Sequence, residues 1–303
     1  KLLYLFLTVL IVACSGEDSN NQDDNDGGND VNEPSDCNVV YLADNGVTIK
    51  ACSSASAGDT GVINGVTYTV VDEAMLRTMV ENEQDVTILV TTKVTNMYQL
   101  FLNQTPTDFN QDIGSWDVSN VTNMADMFNN VTSFNQDLSS WDVSNVTYMA
   151  YMFSRTDAFN QPIGDWDVSS VYNIESIFKD ATAFNQPIGD WDLSSITKMA
   201  AMFLRCTSFN QDISNWDVSN IGADGVVNSD MVSVFRGATS FNQDISNWDV
   251  SNVSYMNTMF EGASSFNQDL SSWSVDNVFT CSLFSDGATS WTLPQPNFTN
   301  CNP

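Results

Sequence analysis

The chain has 303 residues, of which 42% are hydrophobic, so it can bury a sizeable core. Its 38 acidic residues face only nine basic ones, and the net charge of −29 argues against nucleic acid as a partner because phosphate binding needs clustered Lys and Arg. The absence of His removes the usual general base and the usual zinc ligand. We therefore predict no cofactor and no metal, and only carboxylate-based catalysis stays open.

The chain begins with the pattern of an export signal. An apolar run from Leu2 to Val12 is too short to span a bilayer but suits a signal peptide. The stretch Ile11-Val12-Ala13-Cys14 resembles a bacterial lipobox, although Val12 stands where a small residue is more usual. That resemblance implies a signal peptide over residues 1–13 and a lipid on Cys14.

The next segment, residues 14–36, is acidic and almost free of apolar side chains, so we expect a disordered tether. An acidic stretch after a lipidated Cys resembles the surface-export signal of Bacteroidetes lipoproteins. The prediction is an outer-membrane lipoprotein that is exposed at the cell surface and contacts the membrane only through its N-terminal lipid.

Residues 37–93 are predicted to form an N-terminal capping module. Asn64-Gly65 lies between two strand-like runs, which is a strong signal for a β-hairpin. Asp72 can cap a helix that carries Met75, Leu76, Met79 and Val80 on one face.

A repeat dominates the rest of the sequence. Phe-Asn-Gln recurs at spacings of 25, 25, 25, 25, 32 and 25 residues, and a Trp follows seven residues after each Phe. The Trp residues are Trp116, Trp141, Trp166, Trp191, Trp216, Trp248 and Trp273. A fixed period in this range indicates stacked repeats, with the array over residues 94–278 and a degenerate C-terminal capping repeat over residues 279–303.

The pattern inside one unit predicts its local structure. Leu138-x-x-Trp141-x-Val143 has the spacing of the short strand in leucine-rich repeats, and the apolar residues from Val146 to Phe153 follow at helical steps. We predict an α/β repeat solenoid that is leucine-rich-repeat-like, with about seven 25-residue units that each contain a short strand and a short helical segment. A purely β solenoid is the alternative. The Trp column is expected in the core, and the Asn after each Phe is expected to form a buried ladder.

The repeat F-N-Q-x-I-x-x-W-D-V-S-N-V-x-x-M-x-x-M-F resembles a branch of the BspA-like leucine-rich-repeat surface proteins, found in mycoplasma and Bacteroidetes lipoproteins. The resemblance extends from about Val94 to Phe298 and implies an interaction or adhesion role at the cell surface.

An acidic column follows the Trp column. In the predicted strand each Asp lies between two core-facing residues, so it should point outward onto the concave face. These residues are Asp117, Asp142, Asp167, Asp192, Asp217 and Asp249. This column is the candidate binding face and would attract cationic groups. The alternative is that each Asp only fixes its own turn through the following Ser and Asn.

The cysteines fit an exported protein. Cys37 and Cys52 bracket the N-terminal cap, and Cys281 and Cys301 bracket the C-terminal one, so locality predicts these two disulfides. Cys206 occupies a slot that other units fill with Ala, which predicts a buried small residue and not a nucleophile.

Together these features predict a non-catalytic binding or adhesion module with no active site. Its partner would be an unidentified protein or glycan at the cell surface, for which the acidic column favours a basic chemistry. The alternatives are a structural or spacer surface protein without a specific ligand, or a carboxylate-based hydrolase. The seven extra residues between Ile221 and Met231 could form a recognition loop.

Overall fold

The N-terminal module contains the regular secondary structure of the computed structural model, which describes residues 33–102, 108–223 and 230–303. Strands β1 (Val40–Leu42) and β2 (Ile49–Ala51) pair antiparallel. A second sheet has the order β3-β4-β5, formed by Thr60–Ile63, Val66–Val70 and Leu89–Val90, with β4 and β5 parallel. The predicted signal peptide, Cys14 and most of the tether lie outside the described residues, as do residues 224–229 of the insertion.

Two local predictions in this module are confirmed. Asn64 and Gly65 both have positive φ and connect β3 to β4, because a tight hairpin turn needs left-handed residues. Helix α1 (Glu73–Glu81) begins at Asp72, whose side chain accepts a hydrogen bond from the Met75 amide at 2.8 Å. Leu76 and Val80 are buried on the inner face of the helix.

Consecutive repeats are joined by a parallel ladder of backbone hydrogen bonds. Every second amide of the segment from Met124 to Asn130 donates to a carbonyl of the segment from Tyr148 to Ser154, and later units continue the pattern. Isolated parallel bridges connect equivalent positions at Asn96, Asn123, Tyr148, Asn173 and Lys198. Each unit therefore satisfies its backbone groups through the next one, as a stacked array requires.

The strand and helix predicted inside each unit are wrong for the described residues of the array. The segment from Leu138 to Val143 forms no strand, and the segment from Val146 to Phe153 forms turns where a helix was expected. Met152 donates to the Met149 carbonyl in a turn, while Tyr151 has a φ of 61°. Left-handed residues interrupt helical hydrogen bonding, and the freed amides join the ladder between units. The leucine-rich-repeat class itself stays a prediction.

The Trp column lies in the core, as predicted. All seven indoles are at most 5% exposed, and each N–H donates to a buried backbone carbonyl of the preceding unit or of the N-terminal module. Two Phe columns pack beside them; the rings of Phe153 and Phe159, at the end of one unit and the start of the next, are 4.0 Å apart. Such ring pairs contribute about 0.5–1.5 kcal/mol beyond the area they bury.

The Asn ladder exists, but it lies at the surface and not in the core. The side-chain oxygen of Asn135 accepts the amide of Asn160, and that of Asn160 accepts the amide of Asn185, both at 2.9 Å. These side chains are exposed or half-buried. The ladder therefore fixes the spacing of units at a solvent-facing edge.

Both predicted disulfides, Cys37–Cys52 and Cys281–Cys301, are present. Cys206 is fully buried, its thiol donates to the Ala181 carbonyl at 3.1 Å, and burial raises its pKa. A thiol in these surroundings is structural and not reactive.

Candidate functional site

The Asp that follows each Trp caps its own turn. The Asp142 carboxylate accepts the Ser144 amide at 3.1 Å and the Ser144 hydroxyl at 2.6 Å. The bond from the Ser amide recurs at all six Asp residues of the predicted column. The local role of these residues is that of an Asx turn, in which a short carboxylate replaces a backbone acceptor.

The column does not have the uniform exposure that was expected. Asp142, Asp167, Asp192, Asp217 and Asp249 are exposed, but Asp117 is only 2% exposed. The N-terminal module covers Asp117: Ile49 donates to the Ser115 carbonyl, and the Thr91 hydroxyl donates to the Asp117 carbonyl. The accessible column therefore has five members.

The turn bonds also lower the pKa of three of the exposed carboxylates. Hydrogen bonds from Ser169, Ser194 and Ser251 lower the pKa of Asp167, Asp192 and Asp249, respectively, because they stabilise the charged form. The charge of Asp192 acts on the pKa of Asp167 in the opposite direction. Neighbouring units thus hold their negative charges within electrostatic reach of one another.

A second column of Asp residues was not predicted from the sequence. Asp137 accepts the Ser139 amide at 2.9 Å, and Asp112, Asp212, Asp244 and Asp269 make the same bond to the residue two positions later. The signal was present, because Asp137-Leu-Ser139 has the same Asp-x-Ser spacing as Asp142-Val-Ser144.

Both columns belong to a larger set that we call the acidic face: the Asp residues in seven ten-residue segments that begin at the Gln of Phe-Asn-Gln. The segments are 111–120, 136–145, 161–170, 186–195, 211–220, 243–252 and 268–277. Every segment contains two Asp and no Lys or Arg. The charge of this segment is therefore the same in every unit.

Three segments lack an Asp at one of the two turn positions, yet each still contains two Asp residues. Pro162 and Pro187 replace the first Asp in two units, and those units carry Asp165 and Asp190 instead. In the last unit Ser274 replaces the second Asp, and Asp276 follows it.

The three substitute carboxylates of Asp165, Asp190 and Asp276 accept no hydrogen bond from the described residues. A turn role explains the other Asp residues, but it does not explain these three. Their common property is charge.

Basic side chains of the array pair outside the acidic face. Arg205 contacts Asp180 at 2.5 Å, and Arg236 contacts Glu261 at 2.9 Å. Within the described parts of the chain, no ion pair involves an Asp of the acidic face. Solvent is left to screen these charges, except at the buried Asp117.

Comparison with known proteins places the repeats in a family. Residues 72–189, 146–228 and 226–300 match the family described as Mycoplasma protein of unknown function, DUF285. The chain belongs to this family. No curated protein matches this DUF285 chain significantly, and neither does any solved structure. Among the described residues of the DUF285 chain, no helix has the length and apolar character needed to cross a bilayer.

Proposed function

We propose that this DUF285 protein is a non-catalytic binding module that holds a basic macromolecular partner along its acidic face. The partner would be a protein or a glycan at the cell surface that carries several cationic groups. The observation that carries the proposal is the pair of substitute residues Asp165 and Asp190, which add charge without supporting a turn.

The spacing of the units makes the face suited to a multivalent partner. Strand-like neighbours in a ladder lie about 4.8 Å apart, and two unit charges at about 5 Å repel by roughly 0.8 kcal/mol in water. A row of such charges lowers the stability of the free protein. A chain of cations laid across the units would relieve that repulsion at several positions together.

The distribution of the carboxylates favours binding over hydrolysis. A carboxylate-based glycosidase needs two acids that face each other across one substrate site, with one of them in apolar surroundings. Here the acids are repeated at two per unit over seven units, and the described members other than Asp117 are not buried.

We further propose that the N-terminal sequence attaches this module to the outer membrane by a lipid on Cys14, with the face exposed outside the cell. The lipobox-like stretch and the acidic segment after it support this placement.

The test uses a soluble form of the chain that begins after Cys14 and retains both disulfides, with polylysine as the probe. Asp165→Asn with Asp190→Asn removes two charges and no intramolecular hydrogen bond. We expect affinity for polylysine to fall about three- to tenfold at about 50 mM salt and the difference to shrink at about 500 mM.

A charge-matched control is Glu81→Gln with Asp286→Asn, which alters two exposed residues outside the acidic face. Its affinity should stay within about twofold of the parent protein. An equal loss in both double variants would mean that overall charge and not the face attracts the cation. No binding of polylysine by the parent protein would favour a spacer role.

A further inference from the structure

A cleft with two unlike walls lies where the N-terminal module meets the first two repeats. Its volume is about 480 Å³, within the range of about 300–1,000 Å³ that is typical of ligand sites. Direct hydrogen bonds hold its sides together: Ile49 donates to the Ser115 carbonyl at 2.9 Å, and the Trp116 indole donates to the Val86 carbonyl at 3.0 Å. The cleft is therefore formed before any ligand arrives.

One wall of the cleft is apolar. It is lined by Val47, Val66, Tyr68 and Ile88 from the N-terminal module. Val47 is 46% exposed and Val66 is 43% exposed, whereas the apolar side chains of the repeats are almost all buried. Covering this wall would remove apolar surface from water, which is favourable for a partner that brings its own aliphatic group.

The lining that the repeats contribute is acidic and hydroxylic. Asp112 and Asp137 belong to it together with Ser115, Ser139 and Ser140. One carboxylate oxygen of each Asp accepts a turn amide, from Gly114 at 3.1 Å and from Ser139 at 2.9 Å. The second oxygen of each accepts no hydrogen bond from the described residues. None of the Lys and Arg side chains that the structure describes lines the cleft.

We propose that this cleft binds one basic side chain, Lys or Arg, of an extended peptide segment. The aliphatic stem would lie along Val47 and Val66, and the cationic head would reach the free oxygens of Asp112 and Asp137. Such a site suits a long basic side chain, because the stem of that side chain is apolar and only its tip is charged. Tyr68 also lines the cleft, and its ring would attract the cationic head in addition.

This inference rests on the proposed function and makes it more specific, because Asp112 and Asp137 belong to the acidic face. Elsewhere on that face the same acidic turns recur without lining this cleft; Asp244, for example, accepts the Ser246 amide at 2.9 Å. The N-terminal module therefore turns one end of a general cation-attracting face into an anchoring site for a particular side chain.

The experiment is an NMR titration of the lipid-free chain with a short blocked peptide that contains one Lys among Gly and Ser. The same peptide with norleucine keeps the aliphatic stem without the charge, and its acetyl-lysine form neutralises the head. We expect the Lys peptide to shift cleft resonances and to bind about fivefold more tightly than either neutral peptide. Equal binding of the norleucine peptide would overturn the proposal.

Matched variants locate the site. Asp137→Asn should weaken binding of the Lys peptide about fivefold, and Asp244→Asn, which alters the same turn of the acidic face outside the cleft, should weaken it less than about 1.5-fold. Asp286→Asn, an exposed position outside the acidic face, should leave it unchanged. Val66→Ser should weaken binding of the Lys peptide about threefold. Val62→Ser on the same hairpin should leave that binding unchanged, because the Val62 side chain is 64% exposed and does not line the cleft.

The outcomes separate this inference from the proposed function. If Asp244→Asn weakens the peptide as much as Asp137→Asn does, the cleft has no special role, whatever polylysine shows. If the cleft variants are silent while Asp165→Asn with Asp190→Asn still lowers polylysine affinity, the cleft proposal fails and the acidic face stands. If the peptide binds as expected but polylysine affinity is unaffected by Asp165→Asn with Asp190→Asn, the extended face fails and the cleft stands.

Discussion

Replacing Trp191 by Ala tests how far each unit depends on its indole. The side chain is 3% exposed, lies 6.1 Å from the Phe178 ring, and donates its N–H to the Ile163 carbonyl at 3.0 Å. A buried indole covers about 150–250 Å² of surface, which at about 25 cal/mol per Å² corresponds to about 4–6 kcal/mol. Measured losses for this kind of core truncation are about 3–5 kcal/mol, so we expect about 4 kcal/mol.

Trp191→Phe separates the hydrogen bond from the packing. Phe keeps most of the ring area but removes the indole donor, while the buried Ile163 carbonyl still accepts the Trp166 amide at 3.3 Å. The expected loss is about 0.5–1.5 kcal/mol, which is the net contribution of one intramolecular hydrogen bond.

Equilibrium unfolding in urea measures both losses, with Tyr172→Ala as the control. Tyr172 is 45% exposed, so its truncation should change the free energy of unfolding by no more than about 0.5 kcal/mol. The comparison needs a single transition and a similar dependence on urea in all variants. A loss below about 1 kcal/mol for Trp191→Ala would refute the view that the Trp column supports the array.

Four further predictions follow from the turns, the ladder and the termini. The turn bonds lower the folded-state pKa of Asp167, Asp192 and Asp249, so their stabilisation is complete above the unfolded value of about 3.9 and is lost as pH falls through the folded pKa. Repulsion between the carboxylates also weakens as the pH falls below neutral, because they begin to be protonated, so the free energy of unfolding should peak near about pH 4–5. A free energy of unfolding, measured in urea titrations, that rises steadily down to about pH 3 would contradict this. Asn185→Ala removes the acceptor of the Asn210 amide and should cost about 1 kcal/mol in the same assay, whereas Asn185→Asp, which keeps an acceptor, should cost less. Cys281→Ser with Cys301→Ser opens a loop with a sequence separation of 20 and should cost about 3 kcal/mol, and unchanged thermal unfolding would show that the terminal turn needs no cross-link. Cys14→Ser should release the full-length protein from the membrane fraction, and a variant that still sediments with membranes would disprove the lipid anchor.

The sequence was sufficient for features set by short-range chemistry. Asn64-Gly65 specified its hairpin because few other residue pairs adopt two left-handed conformations, and Asp72 specified the start of α1 because its carboxylate reaches an amide three residues ahead. The disulfides followed from locality, and the burial of the Trp column followed from the repeat.

The secondary structure within a unit could not be read from the spacing of apolar residues. A three-residue step between Met149 and Met152 suits a helix, but it also suits successive turns that each place one side chain inward. The choice depends on where the amides find their acceptors. In the array that acceptor is a carbonyl of the next unit, 24 residues away for Met149, and Tyr151 takes a left-handed conformation beside it.

Some features of the candidate site are also determined by the sequence alone, and others only by the tertiary structure. The acidic columns and their two charges per unit are determined by the sequence alone, since they are a matter of counting Asp in each repeat. The burial of Asp117 and the existence of a cleft beside Asp112 and Asp137 were decided only by tertiary structure. Both arise because the N-terminal module packs on the first repeats through bonds such as Ile49 to Ser115, between residues far apart in the chain, and no local pattern records which units such a module will cover.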